Sequence, residues 1–364
     1  MAIGVRIERF DPLADQGRLA ACHRLWQAAQ RRDDPDGPPM SLAGFIGWWG
    51  TGSGEPREVW LAVGDTGPAG CYLLEFPDRE NTDLGRIVLV VEPGARRRGL
   101  GTTLLAHCCE QARQAGRSRV MAETLRDTPG DEFGRAASAE PGLTEIRRIL
   151  PVDDALPARL ARLRAEAEPA AADYELLTWF GPTPAEHLDQ VAQVNEAMND
   201  APREDHVEPE HWDAERVRQG EQRLARHGAR LYSAAARHAA TGEFAALTQL
   251  LTDPHEPSWA YQLLTAVTQP HRGHRLGLLV KAATHQWLTE AEPGVRRVTT
   301  WNSQTNRHMI AINEALGYRP SGRLRTWALT IPDYLARAPV ASLSGMAQSL
   351  KAPSLKAQSS QPQS

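Results

Sequence analysis

Cysteine is scarce in this chain and makes no pattern. Cys22, Cys71, Cys108 and Cys109 form no CxxC pair and no regular framework. That spacing argues against a disulfide scaffold and predicts a reduced, cytoplasmic protein. No apolar run is long enough to cross a bilayer, and the opening MAIGVRIERF has no signal core, so no membrane role is expected. Neither sign of charge dominates. A formal net charge of −4 over 364 residues gives no bulk attraction to nucleic acid. The GxxxxGK[ST] phosphate loop is missing, and the glycines are too few for a dinucleotide fingerprint. His271 and His274 have no second ligand pair beside them, so no metal is expected.

What the chain does have is one loop written twice. The first copy is VVEPGARRRGLGTTLL and the second is VTQPHRGHRLGLLV. Each runs from an apolar strand through a proline and an arginine-rich turn into an apolar helix. The flanking elements recur in the same order, which marks a duplicated unit. The division this predicts is a first domain over residues 1–155, a connector over 156–172, a second domain over 173–335 and a disordered tail over 336–364. The connector is alanine- and charge-rich, and a packed helix of the first domain is its alternative reading. The tail is serine, proline, glutamine and lysine with little to bury.

Chemistry follows from the loop. A helix N-terminus presents unpaired amides and the positive end of its dipole. A glycine turn lets those amides approach a pyrophosphate directly. Arg96 and Arg97 add charge-assisted donors, while Gly99 and Gly101 keep the approach clear.

The segments Arg96-Arg-Arg-Gly-Leu-Gly101 and Arg272-Gly-His-Arg-Leu-Gly277 resemble the acyl-coenzyme-A signature of the GCN5-related N-acetyltransferases (GNAT). The first copy fits fully. The second carries Arg275 where the middle glycine belongs. The resemblance spans roughly residues 1–335 and is similar to the tandem-domain branch that includes mycothiol synthase. It implies an α/β fold, two tandem domains each with a mixed, splayed sheet. It also implies acetyl-coenzyme A as cosubstrate, no metal, and a small-molecule primary amine as acceptor, in a monomer or homodimer. By the same resemblance, Arg96, Arg97, Arg98, Gly99 and Gly101 would hold one pyrophosphate. Arg272, Gly273, His274, Arg275 and Gly277 would hold another. Leu89, Val90 and Val91, and Ala266, Val267 and Thr268, would pair with the pantetheine arms.

Asn302 and Asn306 match family asparagines found only in the second half, which makes that half the expected catalytic one. Capping of a helix is the alternative for each. Family members often carry an acid tyrosine where this chain has Asn313, and an amide cannot supply a proton at neutral pH. Base candidates are Asp205, His206 and Glu208 in a polar loop, and Glu243 at a strand start, with solvated charge or capping as the alternative. Trp48, Trp49, Trp212 and Trp259 are candidate walls of an acceptor pocket or core residues. Three functions remain open on the sequence: a small-amine N-acetyltransferase, mycothiol synthase acetylating a cysteinyl pseudodisaccharide, and a non-catalytic acyl-coenzyme-A sensor.

Overall fold

A computed structural model describes residues 4–51 and 54–338. The first half of the chain runs β1 (Arg6–Phe10), α1 (Gln16–Asp33), α2 (Leu42–Ile46), β2 (Arg57–Gly64), β3 (Gly67–Glu75), β4 (Leu84–Val91), α3 (Leu100–Gln114), β5 (Arg119–Leu125), α4 (Pro129–Ala136) and β6 (Glu140–Pro151). After α5 (Leu156–Ala167) the pattern repeats as β7 (Tyr174–Phe180), α6 (Leu188–Glu196), α7 (Ala214–Arg226), β8 (Arg230–His238), β9 (Phe244–Thr252), β10 (Trp259–Val267), α8 (Leu276–Ala291), β11 (Arg297–Ser303), α9 (Arg307–Leu316), β12 (Arg319–Thr330) and α10 (Ile331–Arg337).

All twelve strands form one mixed sheet in the order β1-β2-β3-β4-β5-β12-β6-β11-β10-β9-β8-β7. The sixth strand of each half is exchanged. β12 pairs antiparallel with β5, with Thr326 opposite Glu123, while β6 pairs antiparallel with β11, with Arg148 opposite Thr300. The helix after each exchanged strand follows it. Leu156, Leu160 and Leu163 of α5 bury into the core beside α8 and β11, and Ile331 and Tyr334 of α10 bury beside α3. The stretch read as a connector is therefore largely a packed helix of the second half's core. Residues 336–337, read as tail, belong to α10; the tail beyond residue 338 lies outside the described residues.

The helices α1 and α2 cover one face of the first half. Leu19, Cys22, Phe45 and Trp49 meet Val59, Leu61, Cys71 and Leu73 there. On the other face, Leu104, Cys108, Cys109 and Ala112 of α3 pack on Tyr72, Leu74, Ile87 and Val120. All four thiols are buried and unpaired, as small apolar fillers.

β4 and β5 run parallel and pair only from Leu84 to Arg86 against Arg119 to Met121. β10 and β11 pair only from Trp259 to Tyr261 against Arg297 to Thr299. Beyond those registers each pair has no ladder partner on that side, so each half of the sheet contains a wedge-shaped gap.

Candidate active site

The two loops have the same backbone trace. Arg97 and Gly273 hold matching places and are left-handed, at φ 63° and 92°. Gly99 and Arg275 hold the next matching place and are left-handed as well, at φ 86° and 54°. Each loop thus needs two left-handed residues and supplies glycine at only one, a different one in each copy. Gly101 and Gly277 serve packing. A Cβ on Gly101 would stand 3.4 Å from Phe133, and one on Gly277 would stand 3.2 Å from Ile312.

The side chains of the loops are used differently. Arg96 does not face outward: it forms a two-point pair with Asp33 (2.8 and 2.7 Å) and donates to the Val91 carbonyl at 3.2 Å. Arg272 makes a single contact to Asp200 and donates to the Val267 carbonyl at 3.4 Å. Both first arginines anchor their loop to the strand before it. Arg97 and Arg98 are exposed and make no hydrogen bond or ion pair among the described residues. The amides of Gly99, Leu100, Gly101 and Thr102 likewise have no acceptor among the described residues. In the second loop, His274 meets the Ala170 carbonyl (3.2 Å) and Arg275 donates to the Glu166 carbonyl (3.4 Å), so the end of α5 and the turn after it lie over this loop.

A cavity of about 490 Å³ fills the gap between β4 and β5. It passes through the sheet. On the α3 side its walls include Leu89, Leu105, Ala122, Thr124, Phe133, Gly134 and Trp327; on the α1 side they include Trp26, Trp48, Glu75, Arg86, Met121, Glu123 and Thr326. Trp327 and Thr326 come from the exchanged strand β12, so the cleft needs both ends of the chain. Trp26 and Trp48 meet edge to face at 5.1 Å, and the Trp26 indole N–H is buried without a partner among the described residues. Trp49 and Trp259 are core residues, and Trp212 stacks under the Arg216 guanidinium at 4.8 Å.

Glu123 is the ionisable group of this cleft with a raised pKa. It has open area toward the cavity, yet protein surrounds most of it, and that desolvation lifts its carboxyl above the ordinary value against the pull of Arg86. Glu145, two strands away on β6, is raised as well, by burial and by the charge of Glu123. Glu75 is held instead by Arg57, at 2.5 Å. Glu123 was missed in the sequence. The available signal was a lone carboxylate inside a strand, two residues past the point where β4 and β5 stop pairing.

The sequence-derived base candidates are elsewhere. Glu208 accepts from the Asn81 amide at 2.7 Å, and its own amide donates back to Asn81 Oδ1 at 2.8 Å. The His206 carbonyl accepts from Arg119 (3.3 Å), and Glu204 accepts from the Leu143 amide. These contacts fix the loop Arg203–Pro209 of the second half across the first half. Asp205 is exposed on it. Glu243 sits exposed in the turn between β8 and β9, near Thr241.

The equivalent gap in the second half holds side chains. Lys281 Nζ donates to Asn313 Oδ1 at 2.8 Å, and Asn313 Nδ2 donates to Asn302 Oδ1 at 2.6 Å. Asn306 accepts from the Met309 amide as the N-cap of α9, the alternative role allowed by the sequence. Among the described residues no group of three or more His, Cys, Asp or Glu is placed to hold a metal, and no helix is long and apolar enough to cross a membrane.

Residues 19–130 match the model of the acetyltransferase (GNAT) family. No curated protein matches the sequence. Among solved structures, the chain is similar to a tandem GNAT protein from the clavulanic acid biosynthesis pathway. That likeness has 26% identity and a TM-score of 0.72, and covers 90% of this chain and 99% of the other. A GCN5-related N-acetyltransferase from Sphaerobacter thermophilus shares the fold at 17% identity and TM-score 0.60, covering 90% and 96%. A putative acetyltransferase from Pyrococcus horikoshii does so at 14% and 0.52, covering 90% and 89%. Residues 19–130 thus match a GNAT acetyltransferase domain, in a chain built like a tandem GNAT protein, and both findings support an acyl-transfer function.

Proposed function

We propose that this protein is an acetyl-coenzyme-A-dependent N-acetyltransferase for a small-molecule amine, and that transfer takes place in the first cleft. The observation that carries this is the cavity through the β4–β5 gap, lined by Glu123, in the half whose loop amides lack acceptors among the described residues. It moves the reaction from the half favoured by Asn302 and Asn306 to the half with room for both substrates.

The first cleft suits an acyl thioester. Four amides without acceptors, the dipole of α3 and the exposed Arg97 and Arg98 fit a pyrophosphate. No atom lies within 4 Å of where a Cβ on Gly99 would stand, so that approach is open. The edge of β4 from Ile87 to Val91 has no partner on the β5 side, which leaves backbone groups for a pantetheine arm. Bound acetyl-coenzyme A would supply the acetyl group as an activated thioester.

The residues of the chain supply the rest. Glu123, as carboxylate, takes a proton from the acceptor ammonium and leaves the neutral amine needed for attack. Its raised pKa matches a group that must be ionised but basic. Trp26 and Trp48 exclude water and wall the acceptor. Gly134 occupies the first-half place equivalent to Asn313, so neither half has the tyrosine acid of the family resemblance. The departing thiolate would instead face the positive end of α3.

Consumption of thioester against a panel of primary amines tests this reading, with the cysteinyl pseudodisaccharide of mycothiol synthase included. Glu123→Gln should lower kcat/KM by roughly a hundredfold or more while leaving acetyl-coenzyme A affinity intact. Wild-type binding without turnover of any amine would favour the sensor reading.

A further inference from the structure

We infer that the second half does not bind acyl-coenzyme A: its groove is closed by a row of its own side chains, and it serves as a fixed partner that completes the first cleft. The inference goes beyond the proposed reaction, since a tandem enzyme could load both halves.

The two halves can be compared position by position. Leu105 and Lys281 are each the sixth residue of α3 and α8. Thr124 and Asn302 are each the sixth residue of β5 and β11. Gly134 and Asn313 each stand four residues before the left-handed residue that ends α4 and α9, Ser138 and Gly317. Phe133 and Ile312, one residue earlier, meet the matching glycines Gly101 and Gly277, which confirms the alignment. Leu105, Thr124 and Gly134 all line the open cavity of the first half. Their counterparts Lys281, Asn302 and Asn313 are hydrogen-bonded to one another across the second gap. Two apolar or vanishing walls have become long polar ones that meet in the middle.

The row is held in place. Asn313 has no exposed surface and Lys281 is 1% exposed. The Lys281 ammonium nitrogen also lies 5.3 Å over the Tyr318 ring, whose hydroxyl meets His285 Nε2 at 2.7 Å. A pantetheine arm in this gap would have to break both amide contacts and leave Lys281 Nζ buried without its acceptor, and an unsatisfied buried donor is strongly disfavoured. Access to the loop is also reduced, because α5 and the turn after it hold His274 and Arg275. What this half gives the first cleft is its last strand, with Thr326 and Trp327.

Calorimetric titration of the full chain with acetyl-coenzyme A tests this without an acceptor. One equivalent per chain is expected. The exposed-site double variant Arg97→Glu with Arg98→Glu should weaken it at least tenfold, and Arg275→Glu should leave it unchanged. Amide exchange at saturation should slow at residues 99–102 and stay constant at 273–278. Two equivalents, or one that Arg275→Glu abolishes and the double variant spares, would overturn the inference. Absence of all binding would instead count against the proposed function, because the site removed is the first.

Discussion

Glu123 and Lys281 are the two residues on which the halves diverge chemically. If Glu123 is the base, the acid limb of kcat/KM follows its ionisation. Burial holds its carboxyl above the ordinary carboxylate range, so activity should be lost on acidification at a pH above that range, and Glu123→Gln should remove that limb. An unchanged limb in the variant would reassign the base. Lys281 predicts the opposite kind of signal, in stability. Burial lowers its pKa from 10.5 to about 7. The fold therefore disfavours its proton, and the unfolded chain binds more protons between those values. Stability should rise from pH 7 toward 10.5 and be flat, with the penalty fully present, below 7. Folded, His285 at about 3 and Tyr318, pushed well up, do not titrate in that window; their ordinary values of 6.5 and 10.0 in the unfolded chain confine the Lys281 signal to about pH 7 to 9.5. Chemical denaturation at several pH values should show the rise in wild type and its loss in Lys281→Met; an equal rise in both would refute the assignment. Neither residue was legible as functional in the sequence. A carboxylate in a strand and a lysine in a helix gain their roles only from the gap they line, and that gap depends on where two strands stop pairing.

The strands and helices themselves were largely legible, because apolar periodicity and glycine–proline punctuation mark them. YELLTWF and LGRIVLVV are strands as read, and the helix starts follow both arginine loops. The loops were legible in outline only. Sequence spacing singled out Arg96 and Arg272 as ligands, whereas Asp33 and Asp200, distant in sequence, turn both into anchors. Arg275 looked like a lost glycine, yet its backbone stays left-handed at the modest cost an L residue bears there. Gly99 should be less tolerant in function. Gly99→Val places a β-branched side chain at φ 86° and in the path of an anion. We expect acetyl-coenzyme A affinity to fall at least tenfold and the melting temperature by a few degrees; unchanged affinity in a folded variant would show that the loop amides are not the binding site.

At the scale of the molecule, the duplication was visible but the exchange of β6 and β12 was not. Both strands read the same whether they close their own half or the other, and only packing distinguishes the two. The exchange is locked by Arg147 of β6, which pairs at two points with Asp34 after α1 (2.5 and 2.6 Å). One consequence is that residues 1–155 alone lack β12, leaving β5 with an open edge and the cleft without Trp327. Such a fragment should unfold without cooperativity in circular dichroism, and fusing residues 319–338 to it should restore a transition; a stable fragment without that strand would mean the halves are independent. The central claim, that the first cleft is the transfer site, is tested most directly by a crystal structure of the full chain with acetyl-coenzyme A. The account predicts one molecule, its pyrophosphate on the amides of Gly99 to Thr102 and its arm between β4 and β5 pointing toward Glu123. A molecule between β10 and β11, with Lys281 displaced from Asn313, would contradict it.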